Sequence, residues 1–209
     1  HRRRHSFPTR RSSDLGAIET ADLNKLTSDQ VGAITTASLR GLSTDQVSKL
    51  GTAQLAALTT GQLASMTTSS VAALTTAQTV ALTTDQVAAL TTAHVNVLST
   101  ASVGVMNTAQ VAALTTAQVQ ALTTANVASL STSQLQVLSS DQVAAFSTAQ
   151  VSALTTAQVK ALTTDDVVAL NTYQVSNLTT ATMSALSTAG LPVDHVTECG
   201  RLRECHARD

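Results

Sequence analysis

Apolar residues recur at a fixed interval of eight along most of this chain. One apolar anchor stands at every eighth position from Ile18 to Leu186, and a second apolar residue follows five positions later, as at Val47 and Val87. Clear copies of the unit are LTTDQVAA, LTTAQVQA and LTTAQVKA. A fixed period of this kind indicates a repeat architecture, in which each unit contacts its neighbours instead of joining one conventional core.

Each octamer also carries the signals of a helix start. The position after the anchor is always Ser, Thr, Asn or Gly from Thr27 to Ser187, and these are preferred helix N-caps. Gly51 is expected there for a conformational reason. Gln follows three positions after the cap in most octamers, which gives the spacing of a capping box. One such box could arise by chance, but a register of them predicts a helix in every unit.

Two further features support these helix starts. The anchor precedes the cap and the second apolar residue falls at the fourth helical position, which is the arrangement of a hydrophobic staple. Acidic residues at the second helical position would meet the positive end of the helix, and they are Asp29, Asp45, Asp85, Asp141 and Asp165. The sequence therefore predicts an all-α solenoid of very short capped helices, one per octamer, over residues 16–190.

Two other architectures fit less well. In one continuous helix the apolar stripe would drift around the cylinder by about 80° per octamer. A β-solenoid is the serious alternative because Thr and Val favour strands. In a strand, however, the two apolar positions would point to opposite faces, and no fixed position supplies residues for tight corners.

Individual positions carry further expectations. Thr79 interrupts the second apolar row, and a local shift that brings in Val80 is expected to compensate. Phe146 replaces an anchor and should lie in the core, whereas Tyr173 should face solvent. The variable position two before each anchor, as at Lys160, is also expected to be exposed. The remaining solvent-facing positions are predicted to be mostly Ala, Ser and Gln.

Composition excludes several kinds of partner. Formal net charge is -1, and the basic residues of the repeats, Lys25, Arg40, Lys49 and Lys160, lie far apart, so a nucleic-acid interface is not expected. Thr pairs interrupt every apolar run before it reaches the length of a membrane span, and membrane insertion is not expected either.

The two ends depart from the repeat. Residues His5 to Leu15 resemble a translated sequencing adapter, so residues 1–15 are interpreted as an artefactual or disordered leader. The alternative is a basic arm for nucleic acid or nuclear import; its residues would be Arg2, Arg3, Arg4, Arg10 and Arg11. Residues 191–209 form a non-repeat tail, expected to be disordered.

Metal-capable side chains lie only in that tail. They are His195, Cys199, Cys205 and His206. Because the tail lacks the short spacing between cysteines of structural zinc sites, no metal site is predicted.

Catalytic chemistry is also not expected. A Ser or Thr nucleophile needs a positioned base, and His94, the one histidine of the repeats, stands in a Gln position as a capping substitute or a solvated side chain. No catalytic, cofactor-binding or metal-binding residue is predicted, and no cofactor. An ice-binding threonine face is disfavoured because the first Thr of each pair is used in capping.

Tracts such as AALTTAQVQALTT resemble the octapeptide repeats of very large bacterial surface or secreted proteins, often called adhesin-like. The resemblance covers about 170 residues and implies a bacterial extracellular spacer or stalk; it carries neither calcium nor haem binding. The alternative function is a solenoid scaffold that binds a protein or peptide. The expected partners are neighbouring repeats of the chain, with homo-association or a surface partner as further candidates.

Overall fold

The computed structural model describes residues 19–187, and this part of the chain is a succession of 21 short helices without a β-strand. The predicted all-α class is confirmed, and the β-solenoid alternative is wrong for these residues. The expectations for residues 1–15 and 191–209 lie outside the described range. The helices are α1 (Thr20–Leu23), α2 (Ser28–Gly32), α3 (Thr36–Arg40), α4 (Thr44–Lys49), α5 (Thr52–Ala56), α6 (Thr60–Ala64), α7 (Thr68–Ala72), α8 (Thr76–Ala81), α9 (Thr84–Ala89), α10 (Thr92–Asn96), α11 (Thr100–Val105), α12 (Thr108–Ala112), α13 (Thr116–Ala121), α14 (Thr124–Ser129), α15 (Thr132–Leu135), α16 (Ser140–Ala144), α17 (Thr148–Ser152), α18 (Thr156–Ala161), α19 (Thr164–Ala169), α20 (Thr172–Ser176) and α21 (Thr180–Ser187).

The helices begin where the capping pattern predicts. Before α9, Thr83 is extended (φ -73°, ψ 162°), and its Oγ1 accepts a hydrogen bond of 3.2 Å from the backbone N–H of Gln86. The Gln86 Oε1 atom accepts the Thr83 N–H in return at 2.9 Å. A side chain caps every helix from α2 to α20 in this way except α5, whose cap is Gly51.

Each helix ends at the next anchor. The N–H of Leu90 donates to the Val87 carbonyl at 3.1 Å, which closes the last turn of α9. Leu90 then adopts an extended conformation (φ -59°, ψ 138°) and the next cap is extended as well. These two extended residues reverse the chain direction between consecutive helices.

The two apolar rows form one continuous core. Val87 and Leu90 are 0% and 4% exposed, and the same two positions are buried from Leu39 onward through the array. Phe146 lies in this core at 2% exposure, as expected. Isolated helices of this length are unstable in water, so packing of these rows on neighbouring helices holds the fold together.

The helices stack as a solenoid with a regular spacing. Each helix packs on the helix three places later, from the pair of α1 and α4 to the pair of α18 and α21. Side-chain hydrogen bonds described below connect each helix to the end of the helix four places earlier. One turn of the solenoid therefore contains between three and four helices.

Two local expectations are wrong. Thr79 stays in register at the fourth position of α8, where it is 1% exposed, and its hydroxyl donates to the Thr75 carbonyl at 3.0 Å. Because that bond satisfies the buried hydroxyl, no shift occurs and Val80 stays 46% exposed. Gly51 has φ -65° and ψ 148°, which any residue adopts, so the position makes no conformational demand for glycine.

Candidate functional site

The most regular polar feature of the solenoid is a row of buried glutamines at the third position of the helices. These side chains were expected to face solvent after completing the capping box, and that expectation is wrong. Gln118 is 2% exposed, and Gln78, Gln110 and Gln158 are equally enclosed. A buried carboxamide is costly unless its donors and acceptors are satisfied, so the contacts of its nitrogen explain the burial.

Each buried glutamine connects two turns of the solenoid. In α13 the Gln118 Oε1 atom accepts the N–H of its own cap, Thr115, at 2.8 Å. Its Nε2 atom donates to the carbonyls of Val87 at 2.9 Å and Leu90 at 2.6 Å, at the end of α9. One carboxamide thus satisfies a donor at a helix start and acceptors at a helix end one turn earlier.

This inter-turn bridge recurs along the chain. The Nε2 atom reaches the carbonyl 28 residues earlier in every case, and in most it also reaches the carbonyl 30 or 31 residues earlier. The bridging residues are Gln54, Gln62, Gln78, Gln86, Gln110, Gln118, Gln134, Gln142, Gln150, Gln158 and Gln174. Because free carbonyls at helix ends otherwise lack partners, the bridge caps one helix while it starts another.

His94 and Asn126 form shortened versions of the bridge. His94 is 3% exposed; its Nδ1 atom accepts the Thr91 N–H at 3.4 Å and its Nε2 atom contacts the Met66 carbonyl at 2.9 Å. The expected capping substitute is confirmed, but the solvated alternative is wrong. Asn126 donates from Nδ2 to the Leu98 carbonyl at 3.1 Å. Both keep the contact with the carbonyl 28 residues earlier.

Asp166 breaks the bridge. Its Oδ2 atom accepts the N–H and the hydroxyl of Thr163, and its Oδ1 atom accepts the Ser140 hydroxyl at 3.1 Å. A carboxylate has no hydrogen to donate to the carbonyls of Leu135 and Leu138, which lie 31 and 28 residues earlier. The buried charge lies at a helix start, where it is favourable, but this turn loses its link to the one before.

Comparison with protein families matches the chain to a repeat that this geometry explains. The model of the ALTTAQ repeat matches residues 32–60, 60–92, 89–124, 116–148, 127–164 and 143–172. The chain belongs to the ALTTAQ repeat family. No curated protein matches the sequence.

The ALTTAQ hexapeptide can now be interpreted position by position. It occurs at residues 73–78, 113–118 and 153–158. Its Leu is the buried anchor, its first Thr is the helix cap and its final Gln is the bridging residue, as at Leu114, Thr115 and Gln118. The family motif therefore contains the residues that end one helix, begin the next and connect the turns.

The outer surface of the ALTTAQ array carries short and scattered side chains. The cap and the first two helical positions are exposed in nearly all octamers. Tyr173 at 67% and Val168 at 55% are the most exposed large apolar side chains within residues 19–187, as expected for both positions. The Arg40 Nε atom donates to the Ser65 carbonyl at 2.9 Å across turns. A hydrogen bond and ion pair with Asp22 raise the pKa of exposed Lys25.

Chemistry-bearing clusters are sparse on this framework. In the described part of the chain, no three His, Cys, Asp or Glu residues lie close enough to hold a metal ion. The four metal-capable residues of the tail lie outside this part. None of the described helices is long and apolar enough to cross a membrane. The sequence reasoning missed the inter-turn role of Gln, although its dominance at one position was a usable signal.

Proposed function

We propose that this ALTTAQ repeat segment is a spacer or stalk of a large bacterial surface or secreted protein of the adhesin-like type. The observation that carries this proposal is the inter-turn bridge. The most regular polar side chain of the array is used to connect turn to turn, and the bridge repeats without building a pocket of converging polar groups.

The same bonding supports a segment without catalysis. The capping hydroxyls accept backbone N–H groups, as Thr115 accepts from Gln118. Both ring nitrogens of His94 are engaged with backbone groups, so it is not available as a general base. We propose that these polar groups serve folding and that the array contributes no reaction.

The extracellular location rests on the resemblance of the octapeptide tracts to bacterial surface proteins. Immunogold labelling of intact native cells with an antibody to the repeats tests it. Label on the cell surface or its appendages is expected, and label confined to the cytoplasm of sectioned cells would refute the location while leaving the spacer proposal open.

A spacer should change its length in proportion to its repeats. Adjacent turns of packed helices are about 8 to 10 Å apart, and a turn holds between three and four octamers, so each octamer adds about 2 to 3 Å. Deletion of residues 107–162 removes seven whole octamers and joins Met106 to Thr163 in register. The maximum dimension measured by small-angle X-ray scattering should fall by about 15 to 20 Å.

The matched control for this deletion is a shuffled array of unchanged length. Exchanging residues 107–114 with residues 155–162 keeps the number of octamers, and the maximum dimension should stay the same. If the deletion shortened the protein no more than the exchange does, or if one stretch of repeats bound a ligand saturably and its deletion abolished that binding, the spacer proposal would be wrong.

A further inference from the structure

Two helices carry serine where their neighbours carry the bridging glutamine. Ser70 in α7 and Ser102 in α11 are 1% and 3% exposed. The Ser70 Oγ atom lies 2.8 Å from Thr67 Oγ1, and the Ser102 Oγ atom accepts from Ser99 Oγ at 2.9 Å. These short side chains therefore bond to their own helix caps and do not reach the previous turn.

The groups that a glutamine would satisfy are still present at these two positions. In the intact bridge of α9, the Thr83 N–H donates to Gln86 Oε1 and the Leu58 carbonyl accepts from Gln86 Nε2. The corresponding pairs are the Thr67 N–H with the Leu42 carbonyl, and the Ser99 N–H with the Leu74 carbonyl. Within residues 19–187 these four backbone groups make no hydrogen bond to protein.

We propose that a buried water molecule completes the inter-turn bridge at Ser70 and another does so at Ser102. Each water accepts the N–H of the helix cap and donates to the carbonyl 28 residues before the serine. The serine hydroxyl, beside both groups, supplies a further partner. A structural water typically makes about three such bonds to otherwise unsatisfied buried groups.

The size of the substitution fits one water. Serine lacks the second methylene and the carboxamide of glutamine, and a water molecule occupies about 30 Å³. The backbone around Ser70 keeps the same capping geometry as in the glutamine-bearing helices, because Ser70 N donates to Thr67 Oγ1 at 3.1 Å. The neighbouring turns are spaced by intact bridges at Gln62 and Gln78, which prevents collapse onto the shorter side chain.

Water fits the polarity of the position better than a cation does. A potassium or ammonium ion could accept contacts from the Leu42 carbonyl and the Ser70 hydroxyl. It would also face the Thr67 N–H at the positive start of α7, which opposes a positive charge. A water molecule meets both groups because it accepts from the N–H and donates to the carbonyl.

NMR spectroscopy of the full chain tests the proposal. Cross-relaxation between solvent and the amide hydrogens of Thr67 and Ser99 should have the sign typical of a long-lived bound water. The variant Ser70→Gln should lose this signal at Thr67, because the introduced carboxamide replaces the water, and should keep it at Ser99. Ser99 is thus the internal control in the same sample.

Three results would overturn the proposal. Absence of a bound-water signal at both amides in the unaltered chain would do so, and so would its persistence at Thr67 in Ser70→Gln. A crystal structure with ordered solvent that shows no water between Thr67 N and Leu42 O would also reject it. Density for a heavier ion at that point would replace water with a cation.

Discussion

At the scale of the residue, the ALTTAQ glutamine combines two roles that usually need two side chains. Its oxygen completes a capping box and its nitrogen binds the end of a helix one turn earlier. Shorter or differently charged substitutes keep only part of this bonding: Asn126 retains the donor contact, and Asp166 retains the acceptor contact. The length and the two-sided polarity of Gln explain its dominance at this position.

Loss of one bridge should destabilise the whole solenoid. Gln118→Ala leaves the Thr115 N–H and the Leu90 carbonyl without their partner, at about 1 to 3 kcal/mol for each group that stays buried. Gln120→Ala in the same helix is the matched control, because Gln120 is exposed and surface changes usually lie within about 0.5 kcal/mol. Urea unfolding followed by circular dichroism measures both, and equal losses would contradict the bridging role.

Restoring a missing bridge should stabilise the fold. Asp166→Gln supplies the donor for the Leu138 carbonyl and removes a buried charge, and we expect a gain of about 1 kcal/mol in the free energy of unfolding. The neighbouring change Asp165→Gln removes an exposed acidic residue from a helix start and should cost about 0.3 to 1 kcal/mol. The same urea titration decides, and a loss for both variants would show that Asp166 is better suited to its site than a bridging residue.

His94 should exist as a single neutral tautomer. Its Nδ1 atom accepts an N–H and its Nε2 atom faces a carbonyl oxygen, so the proton must reside on Nε2. Nitrogen-15 chemical shifts of the imidazole ring distinguish the two tautomers directly. A spectrum of the Nδ1–H form, or of a rapidly exchanging mixture, would show that His94 does not replace glutamine in the bridge.

At the scale of the element, the start and end of the helices could be predicted from the sequence because their causes lie within one octamer. The cap, the box and the staple involve residues no more than five positions apart, and Thr83, Gln86 and Val87 lie where that spacing places them. The predicted shift at Thr79 was wrong because a threonine hydroxyl can return a hydrogen bond within its own helix. Periodicity alone does not reveal that local solution.

The adjacent threonines of each octamer provide a test of capping with its own control. Thr115→Ala removes the acceptor for the Gln118 N–H, and we expect a loss of about 1 kcal/mol. Thr116→Ala changes the exposed first helical residue next to it and should be neutral or slightly stabilising, because Ala favours helix more than Thr. Thermal unfolding of the two variants separates them, and a larger loss for Thr116→Ala would contradict the capping assignment.

At the scale of the whole molecule, the number of helices per turn could not be predicted. The octamers are nearly identical, so no pattern in the sequence indicates which earlier repeat a glutamine contacts. The choice depends on how short helices pack side by side, and it places the partner carbonyls 28 to 31 residues away. The burial of the glutamines was missed for the same reason, since the capping box alone leaves Nε2 facing solvent.

This distributed bonding predicts that the array tolerates whole octamers but not half octamers. A second copy of residues 107–114 inserted after Leu114 gives every downstream bridge an equivalent carbonyl from a neighbouring repeat. A second copy of residues 111–114 alone displaces those carbonyls by half a unit for helices α13 to α16, whose bridges at Gln118, Asn126, Gln134 and Gln142 cross the insertion.

Thermal unfolding should therefore differ sharply between the two insertions. The eight-residue insertion should leave the midpoint unchanged or raise it, because stability in a solenoid grows with the number of neighbouring contacts. The four-residue insertion should reduce the free energy of unfolding by at least as much as Gln118→Ala, since several bridges are strained together. Equal midpoints for the two insertions would mean that the turns are held by the apolar rows alone and that the bridges follow the packing without fixing its register.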